Sequence, residues 1–276
     1  MPRKSIEVAH VYLTSKTYCS QTLITRLNIL QRITIDPAQI HDNYITLVPA
    51  QHHYLTRVLR LQSGGQFQAI DGTGKLYSCE LIACDARTVT VDAQINEIII
   101  ALDRQLTPAI ALICALPKGN NFDDIVRACT ELGVTTIYPA ISDRTLLDPS
   151  PQKLSRWRKI AQEAAEQSER LDVPTIAEPQ ALQAIFSQLL PTERKYLCEA
   201  RGEHPHLLTH LQARSIENTT IILAIGPEGG WTNAEIALAG ASGFQLVSLG
   251  RQVLRTITAP IVALSIVAAA IDISRG

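Results

Sequence analysis

The chain reads as an α/β protein: a parallel sheet with flanking helices, preceded by a small β-rich module. Three observations predict this. From Ala109 onward, short apolar runs alternate with amphipathic stretches of helical length, the pattern of a parallel sheet with crossover helices. From Arg32 to about Ile100 the apolar runs are shorter and broken by turn residues, as in hairpin-connected strands. Twice near the C-terminus, at 224–232 and 248–256, an apolar strand runs into a glycine-marked loop and then into a helix.

Residues 1–30 carry Arg3, Lys4, Lys16 and Arg26 against Glu7, with many Ser and Thr. They form an N-terminal extension that fits a transit peptide, a flexible basic arm or an over-extended start. Residues 31–102 form the first domain. Ile45–Val48, Phe67–Ile70, Leu76–Ile82 and Thr88–Val91 read as strands, and Asp71-Gly72-Thr73-Gly74 as a hairpin turn. Ala50–Leu61 reads as a helix with apolar Leu55, Val58 and Leu59. Asp103-Arg104-Gln105 and Pro108 mark the linker, and 108–276 is the second domain.

In that domain Ile110–Leu116 is a buried strand. Phe122–Leu132 is a helix whose Phe122, Ile125, Val126, Cys129 and Leu132 share one face, stopped by Gly133. Val134–Ile141 is the next strand, and Leu154–Arg170 a helix that ends before Pro174. Further strands lie at Tyr196–Cys198, Ile221–Ile225 and Leu246–Leu249. Thr232 with Glu235 forms a capping box that opens a helix over Ala234–Ala241, with Gly243 its stop. Thr258 opens the last helix, whose apolar run Ile261–Ile271 suits a buried helix or a subunit interface.

Composition removes several classes. At 276 residues and 46% hydrophobic content the chain can bury a substantial core. No run of eighteen apolar residues exists, so no membrane partner is expected. Six scattered cysteines without a CxxC pair argue against a zinc site or a disulfide framework and fit a reducing cytoplasm. No metal is expected. His52-His53 are adjacent and diverge on a helix, and His204, His206 and His210 lack HExxH spacing. The net charge of −1 gives no global field for nucleic acid. Such binding would need a local patch, and Arg32, His53, Arg57 and Arg60 offer one, the last two projecting one helical turn apart.

The two glycine loops carry the chemistry. Glycine at a strand end permits positive φ and close approach of backbone to a ligand. The loop Ile225-Gly226-Pro227-Glu228-Gly229-Gly230 is not a phosphate-binding Walker loop, because it contains no Gly-Lys-Ser/Thr after its glycines. It lacks the G-x-G-x-x-G spacing of dinucleotide sites too. Two such loops on neighbouring strands suggest one shared small-molecule site at their carboxyl ends.

That loop, with Leu249-Gly250 through Leu254-Arg255-Thr256 and Thr130-Glu131-Leu132-Gly133-Val134, resembles the ribosomal RNA small subunit methyltransferase E family. Glu163-Ala164-Ala165-Glu166-Gln167-Ser168 with Arg170 and Val173-Pro174, and His53 with Arg57-Val58-Leu59-Arg60, are similar too. The likeness runs from about Gln31 to the C-terminus.

The resemblance implies a PUA-like β-barrel leading into a knotted methyltransferase domain of the SPOUT class. It implies S-adenosylmethionine as donor, a homodimer, and methylation of a uridine in 16S rRNA at ring nitrogen 3. The donor would be held by three loops: Glu199 and Ala200; Ile225, Gly226, Pro227, Glu228, Gly229 and Gly230; and Leu249, Gly250, Val253, Leu254 and Arg255. Arg144, Arg170 and Arg255 are the candidates for holding substrate phosphate or the uridine oxygens. Glu228 could instead cap the next helix.

Four positions depart from the family pattern. Ile257 stands for a glutamate, Ala128 for a lysine, Glu169 for a glycine and Asp172 for an arginine. The last two remove positive charge from the expected RNA-facing region. They keep a second reading open, that of a non-catalytic RNA-binding or ribosome-assembly factor with this fold.

Overall fold

The computed structural model describes residues 32–82, 91–101, 108–145, 149–213, 216 and 219–275. The N-terminal extension, the linker residues 103–105 and most of the strand expected at 88–91 lie outside them.

The first domain is built on β1 (Arg32–Thr34), β2 (Ile40–His41), β3 (Tyr44–Leu47), β4 (Gln66–Ile70), β5 (Lys75–Leu81) and β6 (Val91–Ala101). Among the described residues these form one sheet in the order β1-β4-β5-β6-β3-β2. Only β1 and β4 run parallel. Alternating side chains put Ile33, Ile45, Leu47, Phe67, Cys79 and Leu81 into one core, closed by Leu55. The turn 71–74 joins β4 to β5 as expected, with positive φ at Gly72 and Gly74.

The helix expected over Ala50–Leu61 is different. It is α1 (Pro49–His53) running into a π-helical turn over Tyr54–Val58, where Leu59 N–H donates to Tyr54 O at 2.9 Å. Arg60 then sits at φ 57°. The helical ladder has ended by that point, so Arg57 and Arg60 are not one turn apart on a common face.

The second domain has β7 (Ile110–Ala115), β8 (Thr136–Ile141), β9 (Thr175–Ile176), β10 (Gln180–Ala181), β11 (Arg194–Cys198), β12 (Ile221–Ile225) and β13 (Gln245–Val247). They form a parallel sheet in the order β10-β8-β7-β12-β11-β13, with β9 also on β8. The helices are α2 (Asn121–Glu131), α3 (Pro151–Gln167), α4 (Leu182–Phe186), α5 (Leu207–Gln212), α6 (Asn233–Ala241) and α7 (Thr258–Arg275).

The sheet is apolar on both faces, as a covered parallel sheet must be. Ile110, Leu112 and Cys114 face a core with α2, α3, α5 and α7. Ala111, Ile113 and Ala115 face a second core with α4, α6, Trp231 and Phe244. Phe122 and Trp157 pack ring to ring at 4.5 Å between α2 and α3. No helix of the described residues is long and apolar enough to cross a membrane.

The two domains meet along the segment just after α3. Thr34 N–H donates to Glu166 Oε1 at 2.8 Å. Val173 N–H donates to Gly72 O, and Gly74 N–H to Leu171 O. Arg32 binds Gln68 Oε1 at 2.7 Å and the carbonyl and carboxylate of Glu169. Arg32 is therefore a seam residue with a largely buried side chain, not the free phosphate contact expected.

Candidate active site

A cavity of about 670 Å³ opens at the carboxyl ends of β11, β12 and β13. Three loops wall it: Cys198–Arg201 after β11, Ile225–Trp231 after β12, and Ser248–Ala259 between β13 and the start of α7. Asn121, at the N-terminus of α2, closes one side. This is the switch-point position where open α/β sheets bind ligands.

The second loop is almost bare backbone, and its surroundings fix its shape. A Cβ on Gly226 would lie 3.1 Å from the Trp231 ring, so a side chain there would require the buried indole to give way by a few tenths of an ångström. Trp231 is buried, and its indole donates to Cys198 O at 3.1 Å, tying the second loop to the first. Gly230, at φ 72°, closes the turn by donating to Pro227 O at 2.9 Å. Glu228 does not cap the next helix. Its Oε1 accepts from Lys118 N–H at 3.1 Å, while Thr232 and Glu235 form the capping box of α6.

The third loop is joined to the first. Ser248 N–H donates to Pro205 O, and Leu207 N–H to Ser248 O. Gly250 takes φ 133°, and its N–H donates to Ser248 Oγ at 3.1 Å. Beyond it Arg255 O accepts from Thr258 and Ala259, which starts α7. Val253, 77% exposed, stands at the rim.

All the positions expected to hold the donor line this one cavity: Glu199, Ala200, the run Ile225–Gly230, and Leu249, Gly250, Val253, Leu254 and Arg255. Of the three arginine candidates only Arg255 is among them. Arg144 lies behind the wall, its guanidinium donating to Gly229 O. Arg170 is not brought to the cavity. Its side chain is mostly buried, donating to Thr130 O at 2.6 Å and pairing with Asp172 at 2.9 Å. Thr130 is at the far end of α2 from Asn121, roughly 13 Å along the helix.

His53, Arg57 and Arg60 are exposed on the first domain. The acidic departures are explained by the seam: Asp172 neutralises Arg170, and Glu169 faces Arg32. Ile257 lines the cavity, and half-buried Ala128 is in α2. Asn121 and Arg201 also line the cavity and were not anticipated. The signal for Asn121 was present: β7 also runs into a glycine-containing loop, Lys118-Gly119-Asn120, and then a helix.

The chemistry of this lining suits a nucleoside bearing an amino-acid arm. Apolar Ile225, Leu249, Leu254 and Ile257 present surface that suits a flat ring, beside the bare backbone of Gly226, Gly229 and Gly230. The Cys198 thiol is pushed up to about 12 by burial, so it stays neutral and lines the floor without acting as a nucleophile. Among the described residues no group of three His, Cys, Asp or Glu side chains could hold a metal ion.

Comparison with known proteins places this geometry. The RNA methyltransferase domain family matches residues 104–268, and the RNA methyltransferase PUA domain family matches residues 50–94. The Ribosomal RNA small subunit methyltransferase E of Synechocystis is 43% identical, over 85% of this chain and 76% of its own. Its namesake in Bacillus subtilis is 28% identical, over 81% of this chain and 89% of its own. The crystal structure of a Ribosomal RNA small subunit methyltransferase E from Neisseria gonorrhoeae bound to S-adenosyl methionine superposes with a TM-score of 0.74. It shares 28% identity and covers 86% of this chain and 95% of that one. The chain belongs to the ribosomal RNA small subunit methyltransferase E family.

Proposed function

We propose that the protein transfers a methyl group from S-adenosylmethionine to N3 of a uridine in 16S rRNA of the small ribosomal subunit. It does so as a cytoplasmic homodimer. One observation carries this: three strand-end loops, largely main chain, wall a single cavity of a size that holds a nucleoside. In the division of labour proposed, residues 31–102 grip RNA and residues 108–276 hold the donor and the target base.

When bound, the donor supplies an electrophilic methyl group on a sulfonium. Methyl transfer forms the N3–carbon bond, breaks the sulfur–carbon bond and leaves a neutral thioether. The N3 proton must depart, since the imide nitrogen attacks as its anion. Cys198, Ile225, Leu249 and Leu254 offer an apolar patch within a lining of mixed polarity, which favours a reaction that disperses charge. Arg255, exposed in the cavity lining, is proposed to hold a uridine oxygen and favour the anion. His53, Arg57 and Arg60 are proposed to contact backbone phosphates, which position RNA without reading its sequence.

Labelled donor with 16S rRNA lacking the modification tests the reaction. Incorporation of label at uridine N3, lost in Arg255→Ala, is expected. Binding of rRNA without donor binding would instead favour the assembly-factor reading. Calorimetry with ATP or NAD should give no heat.

A further inference from the structure

Arg144 lies in the turn Ser142–Thr145 after β8, outside the cavity but against the back of its barest wall. Its Nη1 donates to Gly229 O, with Gly230 O at 3.4 Å and Trp231 O at 3.5 Å from the same nitrogen. A guanidinium suits this, because it stays charged and ends in donor nitrogens on a long stem, one of which serves all three carbonyls. Its aliphatic stem matters as much. A Cβ on Gly229 would sit 2.9 Å from Arg144 Cδ, so any side chain at Gly229 forces the Arg144 stem to shift.

The two sides of one peptide are thereby held. The bond between Gly229 and Gly230 is planar and trans, so its C=O and N–H point opposite ways. Arg144 takes the carbonyl, and the Gly230 N–H closes onto Pro227 O. The turn that carries Arg144 is itself fastened to the start of α6. Asp143 N–H donates to Glu235 Oε1 at 2.9 Å, and Thr232 Oγ1 donates to Asp143 Oδ2 at 2.8 Å. Glu235 is 5% exposed, so its end of the anchor is shielded from water, while Asp143 faces solvent.

We infer that Arg144 is a positioning residue for the donor-binding wall: it sets the backbone of Gly229–Trp231 from behind and contacts neither donor nor rRNA. The inference rests on the reaction proposed above. Donor affinity, not rRNA affinity, then depends on Arg144, and Gly229 and Arg144 act as one unit.

Calorimetric titration of S-adenosylmethionine into wild type, Arg144→Ala, Arg144→Lys, Gly229→Ala and the double variant Arg144→Ala/Gly229→Ala tests this, alongside KM for 16S rRNA. Arg144→Ala should weaken donor binding by about tenfold, a loss of about 1.4 kcal/mol, and leave KM for rRNA within about twofold. Lysine should restore binding in part, because one nitrogen serves all three carbonyls and an ammonium also offers three donors, on a shorter stem. Gly229→Ala should weaken the donor as well, and the double variant should lose less than the product of the two single losses, since the clash is gone.

Unchanged donor affinity with a raised KM for rRNA would make Arg144 a substrate contact and overturn the inference. Multiplicative losses in the double variant would overturn the packing on Gly229. Gly229→Ala, which keeps the arginine, gives the same readout should Arg144→Ala melt early. A wild type that binds no donor would sink the proposed reaction itself, a result distinct from either.

Discussion

At the tip of the β4–β5 hairpin a single carboxylate organises the turn. Asp71 is buried, and burial alone pushes its pKa up. The amides of Thr73 and Lys75 and the hydroxyl of Tyr77 donate to it and outweigh that, so its pKa lies below 3.8. Tyr77 is raised in return, by burial first and then by the Asp71 charge. A depressed carboxyl stabilises the fold above its unfolded pKa and loses that stabilisation as pH falls through its folded value. Asp71→Asn should cost about 1.5–3 kcal/mol at pH 7, and the cost should shrink as pH falls below 3.8 and through the folded value, read by urea denaturation across that range. Single residues were also where sequence reading reached its limit. Gly229 was legible as a glycine that a ligand site needs. Its immediate cause, the stem of Arg144, was not, because 85 positions separate the two.

Among the elements, α6 was the most legible. Its Thr232/Glu235 box is a local signature, and both reciprocal hydrogen bonds are present. Thr232→Ala should cost about 1 kcal/mol for the cap, and somewhat more because the hydroxyl also donates to Asp143, measured as a shift in Tm. The α1 region was misread for a physical reason. An apolar pattern fixes which residues are buried but not whether the ladder closes at i+4 or i+5. Leu55 is buried as expected, yet the π turn rotates the side chains beyond it away from a regular helical face. Strands β9 and β10 and helix α4 went unseen because two to five residues are too short to show a period. Arg57→Ala and Arg60→Ala should weaken rRNA binding and each lower the slope of log K against log salt by about 0.7–0.9. Titrations at several salt concentrations measure that.

For the molecule as a whole, the segment 166–173 decides how the domains are joined, and it contains both acidic departures. Glu169 holds φ 57°, a conformation that costs a non-glycine residue about 1 kcal/mol. Its pairing with Arg32 is 73% exposed on the acidic side and contributes little against that. Glu169→Gly should therefore leave Tm unchanged or raise it slightly. Arg170→Ala should do the opposite, costing about 2–4 kcal/mol because Asp172 and the Thr130 carbonyl lose their partner, while the affinity for donor is retained. Differential scanning calorimetry with donor titration separates the two effects. From sequence both acids looked like lost RNA-binding charge. Glu169 finds its partner, Arg32, in another domain, which only the fold brings within reach. Asp172 pairs with Arg170 two residues away, and what the sequence did not show is that this arginine is turned inward onto Thr130.

The wall formed by residues 248–259 comes after the other two walls in chain order and is held in place by α7 behind it. During translation the residues of two sides of the pocket are therefore made before those of the third. A protein proposed to act on ribosomes thus gains its affinity for the donor only once residues 248–275 have been made and folded.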